Sequence, residues 1–340
     1  MKVKTKDVRN TVKILDDIVA QYKEQREKTK RNWRTYEQQV AERLKTAFKE
    51  LKPLVHEAAS TITFISGETR GAKPILNVEQ RTLALLIKHI IGKSNRTMSS
   101  MFVIFSLLSD IDVSYKTVER FYSDTEVILV LHNLHALILK KKGVKEVDGS
   151  GDGTGLSLTI KANYAAHAQK LKDKAKNIET QSKEYKKKQF VYSFKLIDLK
   201  SRMYVGFGIS FKSENEAFLE TIKMVEKLDI NLSSLRLDKY YSCQEYVKLI
   251  RKKFGNVKIT LIPKSNATLK TEDWEWKRIM YDFVTDPVSY IEDYFQRNQS
   301  ESSFSEDKKR TGWQLGQKRA DRIDTADMLT MLWHNIHWIA

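Results

Sequence analysis

Three carboxylates stand in settings suited to chemistry on a phosphate backbone. They are Asp152 in Gly151-Asp152-Gly153-Thr154-Gly155, Asp238 in Leu235-Arg236-Leu237-Asp238-Lys239-Tyr240-Tyr241, and Glu301 in Ser300-Glu301-Ser302-Ser303-Phe304. Carboxylate oxygens are the hard donors that Mg²⁺ and Mn²⁺ prefer. Two such ions roughly 3.5 to 4 Å apart can run phosphodiester hydrolysis or strand transfer, one activating the attacking oxygen and the other stabilising the leaving oxygen. Each acid also has an ordinary explanation. Asp152 could close an Asp-Gly turn, and Asp148 in Asp148-Gly149-Ser150-Gly151 competes with it for the same place. Small neighbours that would let a metal and a nucleic-acid backbone approach, and the strand pattern that follows directly, favour Asp152. Asp238 at the end of an apolar strand could serve only as a helix cap.

Glu301 belongs to a longer pattern. Tyr294, Arg297, Glu301 and Lys308 are spaced by three, four and seven residues, which on a helix places all four on one face. A carboxylate there binds metal, the Arg and Lys neutralise phosphate charge, and the Tyr hydrogen-bonds or stacks. A plain surface helix with an Arg-Glu ion pair would explain only two of the four positions.

The elements that must position these groups begin near residue 144, where alternating β-branched and aromatic residues replace helical spacing. Strands are predicted at 144–148 or 156–161, then at 190–198, 203–211, 235–237 and 257–262. Helices are predicted at 214–228 and 243–254, followed by a helical C-terminal third. Residues 199–202 suit a hairpin between the second and third strands. Three antiparallel-type strands, helix, strand, helix, strand, helix is the order of a ribonuclease H-like α/β fold, a mixed sheet flanked by helices. Such a sheet supplies acids from its first strand, the end of its fourth and the helix after its fifth, where Asp152, Asp238 and Glu301 stand.

An all-α region precedes the sheet. Residues 1–52 contain no Gly or Pro and carry Val12, Leu15, Ile18, Val19 and Tyr22 at helical spacing. They read as one or two long basic helices that either pack on the rest of the protein or form a DNA-gripping or dimerising arm. A Gly- and Pro-containing stretch at 66–74 marks a boundary. Helices are expected at 81–91, 97–108 and 125–139. The turn at 109–113 and the N-cap candidate Ser114 give the layout of a helix-turn-helix, with Tyr115, Lys116, Thr117 and Arg120 toward a DNA groove; plain bundle packing is the alternative. The domain plan is therefore a basic helical arm (1–65), a helical candidate DNA-binding domain (75–140) and a catalytic domain (141–340). Residues 163–189 are rich in Lys and form either a solvated segment or a phosphate clamp. Trp274 and Trp276 either pack in a core or stack on a flipped base. Residues 317–338 read as a last helix with a basic start, and His334 and His337 on it have no metal-ligand companions.

Composition agrees with these partners. Lys and Arg total 60 against 43 Asp and Glu, a net charge of +17, so the surface attracts polyanions, nucleic acid first among them. With 41% apolar and 10% aromatic residues, most of the 340 residues can fold around a core. One cysteine, Cys243, allows no internal disulfide, and no apolar run approaches the length of a membrane span. A charged N-terminus without a signal-peptide core predicts a cytoplasmic, nucleoid-associated protein.

On these residues the chain resembles the DDE transposases of bacterial and archaeal insertion sequences, specifically the cut-and-paste class with a Tyr-Arg-Glu-Lys signature. Asp152 in Asp-Gly-Thr-Gly, Asp238 in Leu-Asp-Lys-Tyr-Tyr, and Tyr294, Arg297, Glu301 and Lys308 carry the resemblance, with Phe304-Ser305 and Lys308-Lys309-Arg310-Thr311-Gly312-Trp313 as context. It spans roughly residues 145–338. The resemblance implies that Asp152, Asp238 and Glu301 bind two Mg²⁺ ions, with Mn²⁺ able to substitute. Tyr294, Arg297 and Lys308 would hold the phosphate near the transposon end. The partners implied are double-stranded DNA, both the element's terminal inverted repeats and the target, and a second protomer, giving a homodimer in the DNA complex. The family often has a large β-rich insertion between its second Asp and its Glu; here that interval is short and mainly helical, which puts a hairpin intermediate in doubt. Two rivals stand beside this expectation: a transposase-derived, non-catalytic DNA-binding protein, and a ribonuclease H-like nuclease of repair or RNA processing.

Overall fold

One strand of 13 residues, β1 (Glu146–Leu158), runs through the segment for which the sequence offers two shorter alternatives, and it contains both Asp148 and Asp152. The computed structural model describes residues 3–25, 32–63, 76–91, 113–158, 190–312, 314–317 and 319–339. Glycine usually weakens a strand, which is why the run from Gly149 to Gly155 reads as turns. Here the glycines alternate, so β1 has one face without side chains, and neighbours occupy that face. A Cβ at Gly151 would lie 2.5 Å from Phe194 Cζ, and one at Gly149 would lie 2.9 Å from the Ser234 carbonyl oxygen. The opposite face carries Asp148, Ser150, Asp152 and Thr154, a polar stripe down the middle of the sheet.

β1 pairs antiparallel with β2 (Phe190–Asp198), and β2 pairs antiparallel with β3 (Tyr204–Ser210). The turn between β2 and β3 is the expected hairpin; its Arg202 takes a positive φ of 60°. On its other side β1 pairs in parallel with β4 (Asn231–Leu237), and β4 in parallel with β5 (Lys258–Leu261). The order across the sheet is β3-β2-β1-β4-β5, and the short β6 (Gln314–Leu315) pairs with the far end of β1. β6 has too few residues for any alternation to announce it.

In chain order the described helices are α1 (Thr5–Lys13), α2 (Leu15–Gln25), α3 (Trp33–Ser60), α4 (Val78–Ile91), α5 (Tyr115–Phe121), α6 (Thr125–Lys141), α7 (Glu214–Glu226), α8 (Gln244–Phe254), α9 (Trp274–Thr285), α10 (Pro287–Phe295), α11 (Asn298–Thr311) and α12 (Ala320–Ile339). Among the described residues none is long and apolar enough to cross a membrane. α7 covers the glycine face of the sheet, where Gly206 and Gly208 of β3 let Val225 and Thr221 approach. α11 lies on the polar stripe of β1, and α12 packs beside it against β3. α3, α4 and α6 pack on α12, so Leu51, Leu54, Leu85 and Leu134 share one apolar core with the sheet and with Leu329 and Trp333.

The first helical segment departs from expectation in its breaks. Residues 1–52 were expected to hold one or two helices. The chain is instead interrupted at Ile14 as well as before α3, and α3 continues through Pro53 to Ser60. The apolar stripe of this arm packs: Ile18 is buried against Ile291 and Tyr294, with Val12, Leu15, Val19 and Tyr22 around it, and Tyr22 stacks on Phe295 at 5.2 Å. Of the helix-turn-helix expectation, the first helix at 97–108 and its turn as far as residue 112 lie outside the described residues, as does the Lys-rich stretch at 163–189. The second helix forms, and Ser114 caps it by accepting from Thr117 N at 3.3 Å. Lys116 and Arg120 on it are exposed, while Tyr115 and Thr117 are half-buried.

Candidate active site

Asp152 and Asp238 stand where β4 stops. Parallel pairing between β1 and β4 ends at Gly151 and Leu237, and among the described residues the next neighbour of β1 on that side comes at Ser157. Residues 152–156 therefore border a gap, the kind of crevice beyond strand ends in which α/β proteins bind ligands. Asp152 is the first residue past the last rung, and Asp238 is the first past the end of β4. Asp238 opens a 3₁₀ turn, Lys239–Tyr241. The helical segment above the crevice supplies Glu301.

That segment is not one helix. The spacing of Tyr294, Arg297, Glu301 and Lys308 predicts one face of one helix, but the chain turns at Gln296 and Arg297 between α10 and α11. Tyr294 thus belongs to α10, and the other three belong to α11 or its first corner. The turn directs them at different partners. The Tyr294 hydroxyl donates to Asp238 Oδ1 at 3.2 Å. Arg297 Nη1 donates to Asp152 Oδ2 at 3.0 Å, and its Nη2 donates to Glu301 Oε1 at 2.8 Å. Lys308 Nζ donates to Thr154 Oγ1 at 2.7 Å. Beneath them Ser150 and Ser300 join hydroxyls at 2.7 Å, both fully buried, which fixes α11 in height along β1. Side-chain exposure separates the acids: Glu301 is 55% exposed and Asp152 only 14%.

The Asp152 charge is only partly compensated by Arg297. Burial pushes its carboxyl up to about 6; Arg297 and the Gly153 amide work against that, and the nearby Asp238 and Glu301 carboxylates add to it. Burial also disfavours the Arg297 cation, but Tyr294, Asp152, Asp238 and Glu301 outweigh it and hold that guanidinium above its ordinary range. Burial lifts the Tyr294 phenol well above its usual value, with Asp238 contributing. Burial, and then Lys195, lowers Lys308.

Asp148 has a different job. Its carboxylate accepts from Arg236 Nη1 at 2.6 Å and from the Ser234 hydroxyl, and Arg236 also binds Asp293 of α10. Burial alone would raise Asp148, but Ser234, Arg236 and Lys200 together hold it below the usual carboxylate range. Asp148 is thus held by Ser234 and Arg236, whereas Asp152, the more buried of the two side chains, lies at the gap beyond the last β1–β4 rung.

The three acids fit a hard divalent cation in kind: all donors are carboxylate oxygens, and their mutual repulsion is felt at Asp152. Among the described residues no three His, Cys, Asp or Glu side chains converge closely enough to hold a metal as they stand. The guanidinium of Arg297 lies between Asp152 and Glu301 and supplies the positive charge there.

Other sequence candidates separate clearly. Trp276 is buried, and its indole N–H donates to the Thr268 carbonyl at 2.8 Å, while Trp274 is exposed on the surface. His334 is buried between Asp307 Oδ1 and the Arg202 carbonyl, and His337 is buried beside Trp338. Sequence reasoning did not find Ser150, Ser300, Glu214 or Tyr241. A buried serine pair has no spacing signal, and Glu214 reads as an acid in the first turn of a helix capped by Ser213.

The chain is an α/β protein, a mixed sheet flanked by helices, with carboxylates and a guanidinium at a strand-end gap. A search of curated proteins makes the class specific. The chain is 37% identical, over 335 residues covering 98% of its length and 96% of the relative's, to the probable transposase for insertion sequence element ISA1214 of Archaeoglobus fulgidus. Identity at that level along nearly both whole chains places it plainly: the chain belongs to the family of insertion-sequence transposases. No protein-family profile matches it.

Proposed function

We propose that this chain is a DDE transposase of ribonuclease H-like fold. It cleaves DNA at the ends of its element to expose a 3′ hydroxyl and joins that hydroxyl to target DNA. The observation that carries the reading is the gathering of Asp152, Asp238 and Glu301 from β1, β4 and α11 around the gap beyond the last β1–β4 rung, with Arg297 and Tyr294 bonded to those acids. The sheet order β3-β2-β1-β4-β5 supports the fold assignment, and the net charge of +17 supports a DNA partner.

Asp152, Asp238 and Glu301 would hold two Mg²⁺ or Mn²⁺ ions, which supply activation of the attacking oxygen and stabilisation of the leaving oxygen. Arg297 is placed to exchange its carboxylate partners for a DNA phosphate, a bidentate acceptor of matching geometry. Tyr294 orients Asp238 through its hydroxyl. Lys308, at the far end of the crevice on Thr154, adds positive charge along the path of the strand. Lys116 and Arg120 on α5 offer exposed cations for the DNA-binding region, with Tyr115 and Thr117 beside them, and pairing of two element ends calls for two protomers. The test is incubation with labelled DNA bearing the element's terminal repeats and Mg²⁺. Wild type should cut at the element end and Glu301→Gln should not; cleavage that survives Glu301→Gln removes the assignment.

A further inference from the structure

Past the Gly151–Leu237 rung, among the described residues, no strand ladder holds the Asp238 turn against β1, because β4 has ended. A tie across the gap is made from the face opposite the acids. Glu214, the first residue of α7, places its carboxyl where a Gly153 Cβ would lie. Its Oε1 accepts a 2.6 Å hydrogen bond from the Tyr241 hydroxyl. Tyr241 closes the turn that Asp238 opens, its N–H donating to the Asp238 carbonyl at 2.9 Å. The Tyr241 ring is fully buried against Phe194, Phe218 and Tyr246, so the direction of its hydroxyl is fixed. Burial, then the Glu214 and Asp152 carboxylates, push this phenol far above its usual range, and it remains a donor. One carboxylate therefore touches the residue after Asp152 and the residue three after Asp238.

We propose that Glu214 is a positioning residue: through Tyr241 and Gly153 it sets the separation of Asp152 and Asp238 and so the affinity with which a divalent cation is held. The inference rests on the two-metal reading above. Successive strand residues point to opposite faces, so the Gly153 side that Glu214 fills is turned away from the Asp152 carboxylate. Glu214 acts from behind the strand and is not itself a ligand. Partners that orient metal ligands in this way are worth about 10- to 100-fold in metal affinity. The glycine at 153 is part of the device, since any Cβ there would displace the carboxyl.

The experiment uses the full chain as wild type, Tyr241→Phe, Glu214→Ala and Glu214→Gln. Mn²⁺ binding without DNA is read from the electron paramagnetic resonance of free Mn²⁺, and cleavage is titrated with Mg²⁺. Tyr241→Phe and Glu214→Ala should weaken Mn²⁺ binding and raise the half-saturating Mg²⁺ by about tenfold or more, with a much smaller change in rate at saturation. Glu214→Gln keeps an oxygen acceptor for Tyr241 and should bind like wild type. Tyr241→Phe preserves the packed ring, so it remains informative if Glu214→Ala is unstable. Wild-type affinity in Tyr241→Phe overturns the proposal. A Glu214→Gln defect equal to that of Glu214→Ala also overturns it, by making the carboxylate a ligand. If wild type binds no Mn²⁺ and cleaves without metal, the two-metal reading falls and this inference with it; normal wild-type binding with unaltered variants removes the inference alone.

Discussion

Asp152→Asn should stabilise the metal-free protein at neutral pH while abolishing its chemistry. The Asp152 carboxyl is held at about 6 in the fold against 3.8 for an unperturbed aspartate, so its ionised form is disfavoured by about 3 kcal/mol relative to the unfolded chain. The sign follows from proton linkage. A carboxyl whose pKa is raised on folding binds its proton more tightly in the native state. Stability is therefore greatest at low pH, falls as pH rises from about 4 to about 6, and stays low above that. Asparagine removes the charge but keeps an oxygen for Arg297, which also retains Glu301. The attraction to Arg297 is already contained in the raised pKa, so the expected stabilisation at pH 7.5 is at most about 3 kcal/mol. Thermal unfolding in chelator at pH 7.5 and pH 4 measures it: the variant should melt higher by roughly a few degrees at the first pH and with wild type at the second. Added Mg²⁺ should reverse the order at pH 7.5, because only wild type gains binding free energy. An Asn variant no more stable than wild type at pH 7.5, or a gain of equal size at both pH values, would refute the burial argument.

Two other outcomes follow from the same geometry. Asp148→Asn should leave cleavage intact but cost about 1.5 to 3 kcal/mol at pH 7, the worth of hydrogen bonds to a charged group, since it weakens the buried link from β1 through Arg236 to Asp293. Its native pKa is lowered, so that contribution is present above the carboxylate range and lost as pH falls through it, and the gap between variant and wild type should close in acid melts. Lys308→Ala should leave Mn²⁺ binding unchanged yet weaken DNA binding, with a shallower salt dependence of the affinity by about one unit of slope, the signature of one lost phosphate contact.

Much of the architecture is legible in the chain. Period-two alternation located β2, β3, β4 and β5 to within a few residues, and apolar spacing located α6, α7 and α8. β1 was only half legible, because glycine denotes a turn unless its neighbours fill the space, and Phe194, Leu237 and Glu214 that fill it are distant in sequence. The Tyr294 to Lys308 spacing implied one continuous helix face, but Asp286 and Pro287 start one helix and Arg297 begins another. Across the break Tyr294 of α10 meets Asp238 and Arg297 at the start of α11 meets Asp152.

Residue types suited to the chemistry, and the periodic elements that carry them, can be read along the chain, since periodicity and composition are local properties. Tertiary packing gives the two aspartates of β1 different partners. Asp148 and Asp152 share a face four residues apart, and the difference between them is Arg236, delivered by a neighbouring strand, against Arg297, delivered by a helix corner at the crevice. The same holds for Glu214 and Tyr241, whose meeting depends on where β4 ends. Burial and mutual repulsion among charges arise from elements packed together, and no spacing along one chain records them.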